Sequence, residues 1–228
     1  MKKFKSILIT DISSYKAIVI LRYIKISYPN IKTIGCDHRN FTRNFHSKFI
    51  DVFVLLKNSP AKGINYIKEI KKIVEYHNCS FLIPINSSET RLMLKNKHLL
   101  NDVIDYFGNY SQFNILDNKL LFHNLLVKLN LPHPKTYKSL NNNNTPLVLK
   151  PTLSSASKGV KYIMNKADLK NINDLFDKNK YIIQEYINGE GVGFSGFFVE
   201  GKIIEGVITK ITEKFVFLDC GLKSEPII

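Results

Sequence analysis

Cysteine is scarce in this sequence, and the positions of the few that are present exclude two kinds of protein. Cys36, Cys79 and Cys220 lie too far apart for the short ligand spacings of a zinc site. Because an odd number of cysteines cannot be fully paired, the count favours reduced thiols over a secreted, disulfide-stapled domain. The six histidines form neither a metalloprotease motif nor an adjacent pair. The sequence therefore predicts a reducing compartment and no Cys/His metal centre.

Long apolar runs are also missing. The run Ile7-Leu8-Ile9, which follows a lysine-rich start, is interrupted by Asp11 and is too short for a signal peptide. No other stretch approaches the apolar length that is needed to span a bilayer. These features predict a soluble, cytoplasmic protein without a membrane partner.

Acidic residues are outnumbered, with 33 Lys and Arg against 19 Asp and Glu and a formal net charge of +14. Such a charge can attract nucleic acid or anionic small molecules. The basic residues are spread along the whole chain, however, with no dense run and no RNA-binding motif of aromatic and basic residues. We therefore interpret the basic residues as solvated surface lysines. Nucleic-acid binding is the least favoured function.

Residues 1–115 alternate short apolar strands with amphipathic helices. The predicted strands are 6–10, 31–36, 52–56 and 81–85, and the predicted helices are 14–27, 63–76 and 90–100, the last capped by Ser87. Because strands that alternate with helices are joined by right-handed crossovers, this pattern predicts an α/β domain with a parallel sheet.

Glycine is absent from the first strand-to-helix turn, residues 10–14. A dinucleotide-binding domain needs glycines there so that the backbone can approach the pyrophosphate, and this class is therefore excluded. Asp11, Asp37, His38 and the turn 84–89 follow predicted strand ends, where open α/β sheets bind their ligands. They could line a pocket for an acceptor substrate, and ordinary turn or cap roles explain each of them equally well.

A different pattern begins after residue 115. The predicted order is a helix at 116–130, a proline-rich stop at 131–134, a strand at 135–137 and an exposed asparagine turn at 141–144. An apolar strand, 147–151, then contains Lys150 near its end and is followed by a loop of small residues, 154–160. A second strand, a helix and a third strand at 183–187 follow. Because the loop joins two strands rather than a strand and a helix, it is no P-loop and predicts a lid that closes over phosphates.

Five segments in this order resemble the motifs of the ATP-grasp superfamily, and most of all those of its carbamoyl-phosphate-synthase-large-subunit-like carboxylate–amine ligases. The segments are Asp117-Asn118-Lys119 with 131–136, then 146–151, 154–160, 183–187 and 189–191. The resemblance implies an α/β fold in four parts. These are a Rossmann-like pre-ATP-grasp domain at 1–115, a linking helix at 116–134, a lid subdomain at 135–187 and the start of a C-terminal subdomain at 188–228.

The resemblance also implies roles for two lysines. Residues that match Lys119 and Lys150 contact nucleotide phosphates in the family, a task that suits a mobile point charge. Lys150 lies in an otherwise apolar strand, so its side chain points either to solvent or into a cleft. The alternatives are an ordinary helix lysine at Lys119 and a surface strand-end lysine at Lys150.

The loop and the third strand complete the implied nucleotide site. The loop residues expected to cradle phosphates are Ser154, Ser155, Ser157, Lys158, Gly159 and Val160, and an ordinary hairpin loop is the alternative. The residues expected to hold adenine and ribose are Gln184, Glu185, Tyr186, Ile187 and Glu190. In the family the backbone of this hinge pairs with the base, and a carboxylate such as Glu185 or Glu190 accepts from the ribose hydroxyls.

Residues 188–228 predict strands at 192–199 and 202–209, joined at Glu200-Gly201, and a further strand at 214–218. In the family, a later segment supplies the acidic residues that bind Mg²⁺, and no equivalent is found before Ile228. The chain is therefore expected to be truncated relative to the family, with ATP and Mg²⁺ as cofactors but without the metal ligands.

The function that the resemblance implies is that of a ligase which joins a small-molecule carboxylate to an amine or ammonia through an acyl phosphate. As written, the chain is expected to be an incomplete form of such an enzyme. The alternative is a non-catalytic nucleotide-binding or scaffold protein derived from the same fold. A homodimer is among the assemblies that the resemblance allows.

Overall fold

The structure, a computed structural model, describes residues 5–39, 47–100, 103–104, 107–140, 145–155, 157–170, 177, 180–213 and 223–226. The chain divides into two compact units, residues 1–117 and 118–228. No helix among the described residues is both long enough and apolar enough to cross a membrane.

A parallel four-stranded sheet organises unit 1, as the alternation of strands and helices predicted. Its strands lie in the order β3-β2-β1-β4, namely Val52–Leu55, Lys32–Asp37, Ser6–Ile9 and Phe81–Ile83. Its helices are α1 at Tyr15–Ser27, α2 at Ile64–Tyr76, α3 at Ser87–Lys95 and α4 at Tyr110–Asp117, with short 3-10 turns at Pro60–Lys62 and Lys97–Leu99.

Both faces of this sheet are covered, which explains the unbroken apolar run Ile7-Leu8-Ile9 in β1, one of its two inner strands. Leu8 packs into a core with Tyr66 and Ile70 of α2, whereas its neighbour Ile9 packs on Ala17 and Leu21 of α1. Successive strand residues point to opposite faces, so a strand between two layers of helix needs an apolar side chain at every position.

Two helix starts differ from the prediction because the capping residue is an asparagine. Asn86, not Ser87, caps α3, since its side-chain oxygen accepts from the Glu89 amide at 3.0 Å. The predicted helix 116–130 is wrong at its start, because α4 ends at Asp117 and Asn118 caps a new helix. The Asn118 side chain accepts from the amides of Leu120 and Leu121 at 3.0 and 3.2 Å. A side chain that satisfies the first free amides of a helix favours a new helix over a continuous one.

Unit 2 contains an antiparallel four-stranded sheet in the order β5-β8-β6-β7. These strands are Thr136–Tyr137, Tyr181–Glu185, Leu147–Pro151 and Lys161–Ile163, and the helices of the unit are α5 at Lys119–Lys128 and α6 at Lys166–Lys170. The pairing places Val148 opposite Gln184 and Leu149 opposite Ile183. Leu149 and Ile183 belong to the buried core of the unit, so Val148, Lys150 and Gln184 share the other face.

The second sheet of unit 2 is a long two-stranded hairpin extended by a third strand. Its strands are β9 at Gly191–Val199, β10 at Lys202–Glu213 and β11 at Lys223–Pro226, in the order β11-β10-β9. The predicted turn at Glu200-Gly201 is confirmed, with φ of 50° and 77°, the pair of positive angles of a type I′ hairpin. The strand predicted at 214–218 and the asparagine turn predicted at 141–144 lie outside the described residues.

Candidate functional site

Lys119 joins the start of α5 to the segment that follows β6. Its backbone amide donates to the carbonyl of Thr152 at 2.8 Å. Its ammonium donates to the carbonyl of Ser154 at 2.8 Å and to the hydroxyl of Ser154 at 3.2 Å. The helix cap at Asn118 and these three bonds hold the Lys119 side chain beside the small-residue loop.

Lys150 lies on the face of β6 that it shares with Val148, and its ammonium donates to Gln184 Oε1 at 3.1 Å. Burial, and then the positive charge of Lys119, lower the pKa of Lys150 below that of an ordinary lysine. Burial also lowers the pKa of Lys119. Among the residues that the structure describes, neither ammonium forms an ion pair with a carboxylate. Two half-buried like charges without a counter-ion favour the binding of an anion, because an anion would offset both desolvation and repulsion.

Behind Lys150, a chain of polar groups runs back to α5. Gln184 is only 8% exposed, and its Nε2 donates to the Thr136 hydroxyl at 3.4 Å. That hydroxyl lies 3.3 Å from His123 Nδ1 on α5 and 3.3 Å from the carbonyl of Pro134. Thr136 and His123 were not predicted as site residues, because the register of β5 on β8, which places Thr136 opposite Gln184, is a long-range feature.

The loop after β6, residues 154–160, forms tight turns and packs against the end of β6. The Lys158 amide donates to the Ser155 carbonyl at 3.1 Å, and the Val160 amide donates to the Ser157 carbonyl at 3.1 Å. Gly159 has a φ of 74°, and a Cβ there would lie 2.8 Å from Cγ of Pro151. Glycine is therefore required by both conformation and space. Ser155, Ser157 and Lys158 are exposed, so their side chains are accessible to a ligand.

The hinge, residues 184–187 at the end of β8, forms several hydrogen bonds with other residues of the chain. The Glu185 amide donates to the Lys135 carbonyl at 2.9 Å, and the Glu185 carboxylate accepts from the Lys135 amide at 2.8 Å. The Tyr186 amide donates to the Pro146 carbonyl at 3.1 Å. The next amide, that of the exposed Ile187, has no hydrogen-bond partner among the described residues.

Glu190, the other carboxylate predicted for this site, is exposed and forms an ion pair with Lys210 at 2.8 Å. An exposed pair of this kind contributes little to stability and is easily exchanged for another partner.

A second polar cluster lies at the carboxyl ends of the strands of unit 1. It contains the predicted residues Asp11 and Asp37, which both bind the guanidinium of Arg39, and His38, whose Nδ1 lies 3.7 Å from Asp37. Glu89 accepts from the hydroxyls of Tyr66 and Thr10 at 2.6 and 2.8 Å, and Asn86 bridges Glu89 and Asp11. Burial, opposed by these hydrogen bonds, raises the pKa of Glu89. The cluster is satisfied by its own members, which favours a structural role for these turn residues.

We expect Asp37→Asn to reduce the acid sensitivity of unit 1. Burial acts to raise the pKa of Asp37, but hydrogen bonds from Arg39 and from the Ser13 amide outweigh it and lower the pKa to about 2. Because the folded state then binds the proton less tightly than the unfolded state, the carboxylate stabilises the fold above about pH 4, and this stability is lost towards about pH 2. Its contribution at neutral pH is about 2 kcal/mol.

Urea denaturation of the wild type and the variant at a series of pH values measures this difference. The gap between the two proteins should be widest at neutral pH and should shrink as the pH falls. The exposed Glu75→Gln serves as the control and should show no such gap. A gap that stays constant down to acid pH would contradict the role of the Asp37 carboxylate.

In the described part of the chain, no group of three or more His, Cys, Asp or Glu side chains could hold a metal ion. The described residues therefore do not by themselves supply a coordination shell for Mg²⁺, which requires several oxygen ligands.

Residues 116–204 match the sequence model of the ATP-grasp domain family. They include both lysines, the loop, the hinge and the first strand of the long hairpin. No curated protein sequence matches the chain significantly.

Solved structures share the fold at low sequence identity. An L-amino acid ligase from Bacillus licheniformis superposes with a TM-score of 0.71 at 12% identity, over 100% of this chain and 56% of its own. The biotin carboxylase domain of 2-oxoglutarate carboxylase from Hydrogenobacter thermophilus, a dimer with MgADP, ADP and bicarbonate, gives 0.68 at 13% identity, over 94% and 51%. An N5-carboxyaminoimidazole ribonucleotide synthetase in complex with ADP gives 0.68 at 13% identity, over 95% and 58%.

The chain thus spans about half the length of the structures that it resembles. The predicted fold class, an α/β domain with a parallel sheet followed by part of an ATP-grasp fold, is confirmed. The match to the ATP-grasp domain family thus covers residues 116–204, and the likeness of fold to these solved structures extends over nearly the whole chain.

Proposed function

We propose that unit 2 binds ATP, with the ammonium groups of Lys119 and Lys150 on its phosphates. The observation that carries this proposal is the pair itself. Two half-buried lysines, close enough for the charge of one to lower the pKa of the other, have no carboxylate partner among the described residues. Phosphate oxygens are the ligands that would satisfy both.

The loop and the hinge fit the remaining parts of a nucleotide. Exposed serine hydroxyls and the turn at Gly159 lie directly after the strand of Lys150, where a lid over phosphates would be needed. The amide of Ile187 is the first hinge donor that has no hydrogen-bond partner among the residues that the structure describes, so we assign it to the adenine edge. We assign the ribose hydroxyls to Glu190, because its exposed ion pair is easily exchanged, whereas Glu185 is held by the Lys135 amide.

We further propose that the protein acts as a carboxylate–amine ligase. A substrate carboxylate oxygen attacks the γ-phosphorus of ATP, the bond to the β–γ bridging oxygen breaks, and ADP leaves. An amine or ammonia then attacks the acyl carbon, inorganic phosphate departs with the electrons of the broken C–O bond, and the nitrogen releases a proton to solvent as the amide forms. The lysines contribute by positioning the phosphates and offsetting the charge that develops on them. Magnesium would supply further charge neutralisation, but the described residues do not form its site, and no step is assigned to it.

The experiment is a measurement of ATP binding by calorimetry, followed by ADP release in the presence of magnesium with a panel of amino acids, singly and in pairs, with and without ammonia. ADP release that requires both a carboxylate and an amine would support the ligase. Binding without turnover of any pair would favour the non-catalytic, nucleotide-binding alternative. A failure to bind ATP would contradict both.

A further inference from the structure

We propose that the side chain of Gln184 is a positioning residue, which holds the Lys150 ammonium with a neutral acceptor and is itself held by Thr136. The inference rests on the proposed nucleotide site and concerns its phosphate-binding half. It gives the Gln184 side chain a different task from that of the hinge backbone, which is expected to contact the base.

The geometry gives the Gln184 carboxamide only one favourable orientation. Its oxygen faces the Lys150 ammonium at 3.1 Å, and its nitrogen faces the Thr136 hydroxyl at 3.4 Å. The reverse orientation would place two donors against each other at Lys150, because an ammonium has no acceptor. Since Gln184 is buried, its amide hydrogens also need a partner within the protein, and Thr136 provides it.

The Gln184 carboxamide is also uncharged, which suits a neighbour of a phosphate-binding lysine. A carboxylate at this position would pair with Lys150, neutralise it and repel the phosphates of a nucleotide. An apolar side chain would leave the ammonium without a partner and free to adopt several rotamers, which a ligand would then have to order. A glutamine fixes the ammonium and leaves its positive charge available to phosphate.

Thr136 and His123 extend the same chain of contacts. When the Thr136 hydroxyl accepts from Gln184, its own hydrogen can go to His123 Nδ1 or to the Pro134 carbonyl, each 3.3 Å away. Burial, and then the charge of His133, lower the pKa of His123, which favours the neutral ring that can accept this hydrogen. Thr136 therefore orients Gln184, and Gln184 orients Lys150.

The test compares the affinities for ADP and for adenosine, measured by calorimetry, in Gln184→Glu, Gln184→Met, Thr136→Val and Thr136→Ser. We expect the two Gln184 variants to lose at least about tenfold in ADP affinity, with adenosine affinity changed by less than about twofold. Thr136→Val should lower the affinity for ADP about threefold and leave the affinity for adenosine unchanged. Thr136→Ser, which keeps the hydroxyl, should bind ADP like the wild type. Melting temperatures establish that each variant is folded.

The outcomes separate the inference from the proposed function. If the wild type binds ADP and Gln184→Glu binds it equally well, the positioning role is overturned and the nucleotide site stands. Equal losses for ADP and adenosine would indicate a merely structural role and would also overturn it. If the Gln184 variants do not fold, the Thr136→Val and Thr136→Ser pair decides by the same criteria. A wild type that binds neither ligand would overturn both the inference and the proposed function.

Discussion

Replacing Lys150 with methionine is expected to weaken ATP binding by about 100-fold, or about 2.7 kcal/mol, the upper part of the range for a hydrogen bond to a charged group. The effect is large because Lys150 is half-buried and has no carboxylate partner among the described residues, so its charge is available to a phosphate. Methionine keeps most of the side-chain volume and removes only the charge and its hydrogen bonds. Calorimetric titration with ATP at fixed ionic strength measures the change.

The nucleotide-free Lys150→Met protein should be about as stable as the wild type. Removing a half-buried ammonium relieves its desolvation and its repulsion from Lys119, whereas Gln184 loses the donor to its oxygen, and these effects oppose each other. Lys202→Met, a change at an exposed strand lysine, is the matched control and should bind ATP like the wild type. Equal ATP affinity in Lys150→Met and Lys202→Met would show that Lys150 does not contact the nucleotide.

Ile183→Ala is expected to cost unit 2 about 2–5 kcal/mol of unfolding free energy, the range for truncating a large aliphatic side chain in a core. Ile183 is 1% exposed, lies in β8 between two neighbouring strands and packs in a small core with Leu147, Leu149 and Ile163. Because a small core gives a low free energy of unfolding, a loss of this size is enough to unfold the unit. Chemical denaturation, with amide exchange to locate the affected residues, measures the loss.

Two further variants serve as controls for this prediction. Ile183→Val removes a single methylene and should cost about 0.5–1.5 kcal/mol. Leu8→Ala creates a comparable cavity in the core of unit 1, so its loss of amide protection should be confined to residues 1–117. If Ile183→Ala left the exchange of β6 and β8 unchanged, the assignment of these strands to one core would be wrong.

Most strands of the three sheets could be predicted from the sequence because their side-chain patterns are local, whereas β11 was not predicted. The apolar run that precedes Lys150 in β6 predicted a strand with its lysine either at solvent or in a cleft. In the structure Leu147, Val148 and Leu149 are all buried, and Lys150 is half-buried. The uninterrupted apolar run of β1 is typical of a strand covered on both sides, and Ile7, Leu8 and Ile9 are all buried.

The connections between distant segments could not be predicted in the same way. The break between α4 and α5 depends on which residue folds back to cap the new helix, and Asn118 does so within an otherwise helical pattern. The contacts of Gln184 with Lys150 and Thr136 join residues 34 and 48 positions apart, and they depend on the pairing of three strands. The ion pairs of Arg39 with Asp11 and Asp37 likewise form only when two strand ends meet at one edge of the sheet.

Lys150 is assigned as an ammonium whose counter-ion is a phosphate of the nucleotide. The most direct test of this assignment is a measurement of the pKa of Lys150. The ¹³Cε resonance of Lys150 can be assigned by its absence from Lys150→Met and followed over pH with and without ADP. Without nucleotide, the pKa should lie below that of ordinary lysines, because the group is buried and lies near Lys119. With ADP bound, the pKa should rise, because a phosphate favours the charged form. A pKa that saturating ADP leaves unchanged would contradict the account.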